Sequence, residues 1–167
     1  YINGQAAEAF VAYLNEEKPE ISGHDLKNDY YMLMHYGLTE CNTDFDTAVG
    51  QYILDSGRSN YDLKTMAYEY FHENIDNEKD LAEQTSQLDM FSDPTEIYKN
   101  YGLKWCAAVS SLTQLLKNKI KEAGLEKVAL EVEMPLIEVM ASMEYEGVSI
   151  DENELTSLGS VLKSSID

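Results

Sequence analysis

Apolar residues recur along this 167-residue chain mostly at helical spacing. Ala6, Phe10, Val11 and Leu14 fall every three or four positions, which predicts a helix over 5–15, ended by Pro19. Ile21-Ser22-Gly23-His24 reads as a short strand, followed by a helix over 27–36 that Gly37 stops. Asn42 to Phe45 reads as a second extended piece. Asp46 or Thr47 then caps a helix carrying Ala48, Val49, Tyr52 and Ile53. The turn-forming run Ser56-Gly57-Arg58-Ser59-Asn60 separates it from a helix with Leu63, Met66, Ala67, Tyr70 and Phe71 on one face.

Residues 73–93 lose the pattern. They are acidic and poor in large apolar side chains, and so predict a long mobile loop. Asp93-Pro94-Thr95-Glu96 marks a new helix start, with a capping Asp, a Pro at the first helical position and a Glu near it. The helix that follows carries the stripe Trp105, Val109, Leu112, Leu116 and Ile120, breaks at Gly102 and closes at Gly124. A second long helix spans 126–145, bent at Pro135. After Gly147-Val148-Ser149-Ile150, Asp151 with Glu154 caps a last helix through Leu155, Leu158, Val161 and Leu162. Helix dominates and strand is scarce.

Charge changes the picture. The chain carries a net −19, unevenly spread: residues 1–98 hold five Lys/Arg against twenty Asp/Glu. A duplex-binding surface needs clustered cations to displace phosphate counterions, so this chain alone is expected to bind DNA weakly or not at all. Lys117, Lys119 and Lys121 do not share one helical face and read as a solvated helix end. No long apolar run and no basic-then-apolar leader is present, which predicts a soluble cytoplasmic protein with no signal peptide and no membrane partner. Cys41 and Cys106 read as buried reduced thiols.

The run from Leu130 to Asp151, with Glu133, Pro135, Leu136, Val139, Met140, Met143, Glu144, Gly147, Val148, Ile150 and Asp151 in register, closely resembles a junction in bacterial family A DNA polymerases of the DNA polymerase I type. There the 3′–5′ exonuclease-like domain runs into the polymerase thumb. A bent amphipathic helix with a Gly stop and an Asp cap explains the spacing but not these identities. Upstream, His24-Asp25-Leu26-Lys27-Asn28-Asp29 is similar to the family's second exonuclease motif. Phe45-Asp46-Thr47 with Tyr52-Ile53-Leu54, and Tyr61-Asp62-Leu63 through Phe71, are similar to the helices that follow it. The resemblance implies an α/β, ribonuclease H-like (RNase H-like) exonuclease fold, helix-rich and lacking its first strands in this fragment, followed by polymerase thumb helices. It divides the chain into a degenerate exonuclease-like domain, 1–128, and the start of a polymerase domain, 129–167.

Two-metal phosphodiester hydrolysis needs several carboxylates converging on cations about 4 Å apart. The resemblance implies three motifs that supply them. The first lies upstream of the chain. In the second, Asp29 matches the ligand Asp, and Asp25 stands where Asn is usual. The third aligns with Trp105 and Val109, replacing a Tyr and an Asp. Val cannot bind Mg²⁺, so the exonuclease is read as catalytically dead, with Asp29 a remnant and Trp105 and Val109 lost positions. A surface or capping acid is the plainer account of Asp29. No catalytic residue, metal site or cofactor is expected in the fragment; Mg²⁺ is expected for the parent polymerase, which would copy DNA in replication and repair at the nucleoid. Two rivals stand beside this reading. One is a residual metal-dependent exonuclease using Asp25, Asp29, Asp44 and Asp46. The other is a free-standing acidic helical adaptor or DNA mimic.

Gln87-Leu88-Asp89-Met90-Phe91, in the acidic stretch, resembles the pentapeptide by which bacterial polymerases dock on the DNA sliding clamp. Leu88, Met90 and Phe91 would anchor in a groove while Gln87 fixes the register. Phe91 packing on the helix that starts at Pro94, as a hydrophobic staple, is the alternative.

Overall fold

The computed structural model describes residues 4–86 and 93–166. In chain order the elements are α1 (Gly4–Glu17), β1 (Ile21–Gly23), α2 (Leu26–Met34), β2 (Thr43–Asp46), α3 (Thr47–Leu54), α4 (Leu63–Phe71), α5 (Glu78–Ser86) and α6 (Thr95–Glu122). They continue with α7 (Glu126–Val128), a π-helical turn (Ala129–Glu133), α8 (Met134–Glu146) and α9 (Glu152–Ile166). The apolar spacing places most of these where the sequence does.

The two strands pair in parallel, with Ser22 opposite Phe45 and Gly23 opposite Asp46. The register slips between Ile21 and Ser22, and Asp44 takes up the slack as the bulged residue. Helices cover this small sheet. One continuous core holds Leu26, Tyr30, Phe45, Leu63, Met66, Leu112, Leu116 and Met134, each less than 5% exposed. Gly50 lets α3 lie against Phe45, whose ring occupies the space that a Cβ there would need.

Several expectations are corrected. The stretch 73–93 is not wholly loop, because Glu78–Ser86 is helical. Its start is held by a reciprocal cap: Asp80 N–H donates to Asn77 Oδ1 (2.9 Å) and Asn77 N–H donates to Asp80 Oδ2 (3.0 Å). A capping box with Asp in the Glu position needs little apolar periodicity to begin a helix. Helix α6 runs through Gly102 without a break, since one helical glycine costs only about 1 kcal/mol and the long stripe outweighs it. Pro135 is absorbed by the π turn. It offers no N–H to the preceding turn and its ring crowds the carbonyl four residues back. The backbone therefore widens just before it, with Met134 N–H reaching Ala129 O.

Cys106 is exposed and Cys41 only half-buried, and both thiols are free. Cys106 lies one residue past Trp105, about 100° round α6 from the buried stripe. The lysines of that helix are not simply solvated. Lys117 pairs with Asp44 (2.6 Å) and sits over the Phe45 ring, and Lys119 sits over Tyr70.

Helix α8 packs along α2 and buries Met134, Ile137 and Ala141 in the shared core. Helix α9 buries none of its residues. Leu155, Leu158, Val161 and Leu162 form an apolar stripe open to solvent, continuous in sequence with exposed Val148 and Ile150. Among the described residues no helix is long and apolar enough to cross a membrane.

Candidate functional site

A cleft of about 770 Å³ opens beside the sheet. The turn from β1 into α2 supplies His24, Asp25, Asn28 and Asp29; α3 supplies Ala48; the segment entering α4 supplies Tyr61, Asp62 and Leu63; α6 supplies Tyr101 and Trp105. Asp25 reaches it from a left-handed backbone conformation (φ 59°) that Asp and Asn tolerate better than most residues. Tyr101 and Trp105 lie one helical turn apart with ring centroids separated by 5.4 Å. The Trp105 ring also meets His24 edge-on at 6.0 Å.

His24 is held from behind. Its Nδ1 lies 2.8 Å from Thr47 Oγ1, and that hydroxyl donates to the Gly23 carbonyl (3.2 Å). A hydroxyl whose proton is committed to a carbonyl must accept from the imidazole, so Nδ1 carries the hydrogen and Nε2 is the bare acceptor. Burial pushes the imidazole pKa below its ordinary 6.5, against the opposing pull of Asp46, Asp25 and Asp62.

The acids have separate tasks. Burial pushes the Asp62 carboxyl up, but hydrogen bonds from Thr65 and Asn60 and the nearby imidazole outweigh this and hold it below 3.8. Asp62 caps α4 through Thr65 N–H (2.8 Å). Asp46, 1% exposed, accepts from the backbone N–H groups of Leu26, Ala48 and Val49 at 2.6, 2.8 and 3.1 Å. Asp44 accepts from Ser22 Oγ (2.5 Å) and pairs with Lys117.

Of the four acids that a residual exonuclease would use, the fold therefore places Asp25 and Asp29 on the cleft. Asp46 is spent on backbone amides, and Asp44 sits in an ion pair. Val109, one turn beyond Trp105, is 7% exposed and belongs to the core. Among the described residues no three His, Cys, Asp or Glu side chains stand close enough to hold a metal ion. The described residues do not by themselves make up a two-metal centre. Asp29 also lies in the first turn of α2, where a negative charge favours the helix dipole.

A smaller groove of about 310 Å³ runs between Ser22 and α6, lined by Trp105, Cys106, Val109, Ser110, Thr113 and Gln114. Thr113 Oγ1 is buried there without a hydrogen-bond partner. The expected docking peptide, Gln87 to Phe91, lies outside the described residues. Tyr61, Asp62 and Tyr101 were not singled out by sequence. The only signals for them were a Tyr directly before an Asp that can cap α4 and the four-residue spacing from Tyr101 to Trp105.

A family model described as 3′–5′ exonuclease matches residues 1–121. DNA polymerase I of Borreliella burgdorferi is 30% identical over 143 residues, which is 85% of this chain and 15% of that protein. DNA polymerase I of Bacillus caldotenax is 24% identical over 153 residues, 92% of this chain and 17% of that protein. The chain thus spans only about one-sixth of the length of these relatives. A solved structure described as the POL domain of Pol1 from M. smegmatis, in complex with DNA primer-template and dNTP, superposes with a TM-score of 0.74 at 20% identity. That likeness covers 98% of this chain and 25% of the other. The helix-rich, parallel-stranded architecture is accordingly a ribonuclease H-like α/β fold in reduced form, and the chain belongs to the 3′–5′ exonuclease family of the DNA polymerase I-type, family A polymerases.

Proposed function

We propose that this chain is the exonuclease-like unit of a DNA polymerase I-type enzyme, that its phosphodiester hydrolysis has been lost, and that it now serves to brace the polymerase domain. The observation that carries this reading is Val109. It sits in the core, at the position where the family resemblance expects a metal-binding acid. The dispersal of Asp44 and Asp46 into structural contacts supports it. The parent would extend primers on a DNA template in replication and repair, using Mg²⁺, in the cytoplasm at the nucleoid; the acidic unit itself would contribute little DNA affinity.

The division of the chain belongs to the same proposal. Residues 1–128 form the exonuclease-like unit, and 129–167 begin the polymerase part with its thumb helices. Burial of Met134, Ile137 and Ala141 against α2 favours carrying the packed unit on to Gly147. The bare stripe of α9 is then the face that the polymerase part covers.

The test is release of nucleotides from 3′-labelled single-stranded DNA with Mg²⁺ or Mn²⁺. The expected outcome is no release above the level of Asp29→Ala. Release that Asp29→Ala abolishes would replace this reading with that of a residual exonuclease.

The peptide Gln87-Leu88-Asp89-Met90-Phe91 is proposed as a sliding-clamp tether, on the strength of its apolar anchors within a polar stretch. Fluorescence anisotropy of a labelled peptide spanning Thr85 to Pro94 should show saturable binding to a bacterial clamp. A flat titration up to high micromolar would end the idea.

A further inference from the structure

The cleft beside β1 is an aromatic cavity whose polar groups mostly accept hydrogen bonds. Trp105 and Tyr101 line it from α6, and Tyr61 from the segment entering α4. Two of its side-chain donors are already turned to acceptors within the protein. Tyr61 Oη donates to the Asp55 carbonyl (3.0 Å), and Asn28 Nδ2 donates to Asp25 Oδ2 (2.5 Å). His24, with its hydrogen committed to Thr47, offers a lone pair at Nε2. Asp25, Asp29 and Asp62 add negative charge, and among the described residues no Lys or Arg lines the wall. Such a surface repels phosphates. It suits a cation that brings N–H donors for the carboxylates and a flat or methylene surface for the rings.

We propose that this cleft is a binding site for an organic cation of the alkylammonium or guanidinium class, seated against Trp105 and Tyr101, with its N–H groups donated to Asp25 and Asp29. Its volume lies within the usual range for small-ligand sites and exceeds what a single metal ion needs. Neither the family membership nor the loss of hydrolysis entails this site.

Trp105 is the only tryptophan of the chain, so its fluorescence reports on the cleft directly. The whole chain is titrated at low ionic strength with spermidine, for a free polyamine, and with Nα-acetyl-arginine amide, for an arginine side chain. The citrulline amide, with a neutral urea in place of the guanidinium, serves as control. At least one of the two cations should give a saturable one-to-one change, and the citrulline amide none. A weakening of about tenfold is expected in the double variant Asp25→Asn, Asp29→Asn. Asn keeps the left-handed backbone at position 25, and circular dichroism checks that the fold is retained. Calorimetry of Tyr101→Leu should show a similar loss. In contrast, Glu16→Gln with Glu17→Gln removes the same charge from the exposed end of α1 and should change affinity less than about twofold. The proposal is overturned if the response is linear in ligand, if the citrulline amide binds equally, or if both double variants weaken binding alike, since diffuse attraction to a net −19 chain would then account for everything.

Discussion

Asp46 ties three segments together through one carboxylate. It takes amide hydrogens from the starts of both α2 and α3, and its own N–H lies 3.2 Å from Met134 Sδ at the start of α8. Beside it, His24 couples the site to pH. Folding lowers the proton affinity of the imidazole by burying it, so the unfolded chain binds more protons as pH falls below 6.5. The stability contributed by neutral His24 is complete above that pH and declines below it, toward the lower folded value. The carboxylates of Asp44 and Asp62, held below 3.8, surrender their share only in a separate window at lower pH. Urea midpoints at pH 7.5, 6.5 and 5.5 should therefore fall on acidification. The fall should be smaller in His24→Asn, whose amide can replace the Nδ1 donor to Thr47. Cysteine chemistry divides in the same local way: burial, reinforced by Glu138, pushes the Cys41 thiol up to about 12, while Cys106 stands in solvent.

At the scale of elements, local and tertiary signals disagree in instructive places. Helix α6 carries Gly102 in its interior, where a Cβ would meet nothing within 4 Å. Gly102→Ala should raise stability by about 0.5–1 kcal/mol, by restricting the unfolded backbone without a clash, and thermal melts would read this as a higher Tm. An unchanged or lower Tm would mean that the glycine has a packing or functional purpose. Helix α5 is the reverse case. Its sequence is too polar to show a face, and the Asn77–Asp80 cap together with the Lys64–Asp80 ion pair (2.5 Å) holds it against the protein. The π turn before Pro135 converts a helix breaker into a wide turn, so that Ala129 at its start and Met134 just after it both stay buried.

At the scale of the whole molecule, the core does not stop where the sequence resemblance changes domain. Ending the chain after residue 128 would strip Ala129, Met134, Ile137 and Ala141 from the core. Each larger side chain lost in this way leaves a cavity worth about 2–5 kcal/mol, so that fragment should not fold cooperatively. Ending it after Gly147 removes only α9, which buries nothing, and should leave Tm within a few degrees of the full chain. A 128-residue fragment with a sharp melting transition would show that α8 is dispensable. The bare stripes of α9 and of α8, where Met143 is 68% exposed, also predict that the shorter of the two folded chains is the less prone to self-association.

The sequence by itself determined the elements with strong local chemistry: the capped starts at Asp46 and Asp151, the glycine stops at Gly37 and Gly147, and the apolar stripe of α6. These are decided within a turn or two of backbone, and helical periodicity records them directly. Asp29 and Trp105, singled out by their likeness to family motifs, both line the cleft, whereas Val109 lies in the core. Only the tertiary structure decided which acids share a cleft. Asp62 joins Asp25 and Asp29 from a segment distant in sequence, and no local pattern reveals that Lys117 claims Asp44 or that the Leu26 amide claims Asp46. It alone decided, too, that α8 completes the core while α9 stands bare, since both carry apolar stripes and a stripe does not say what it will meet.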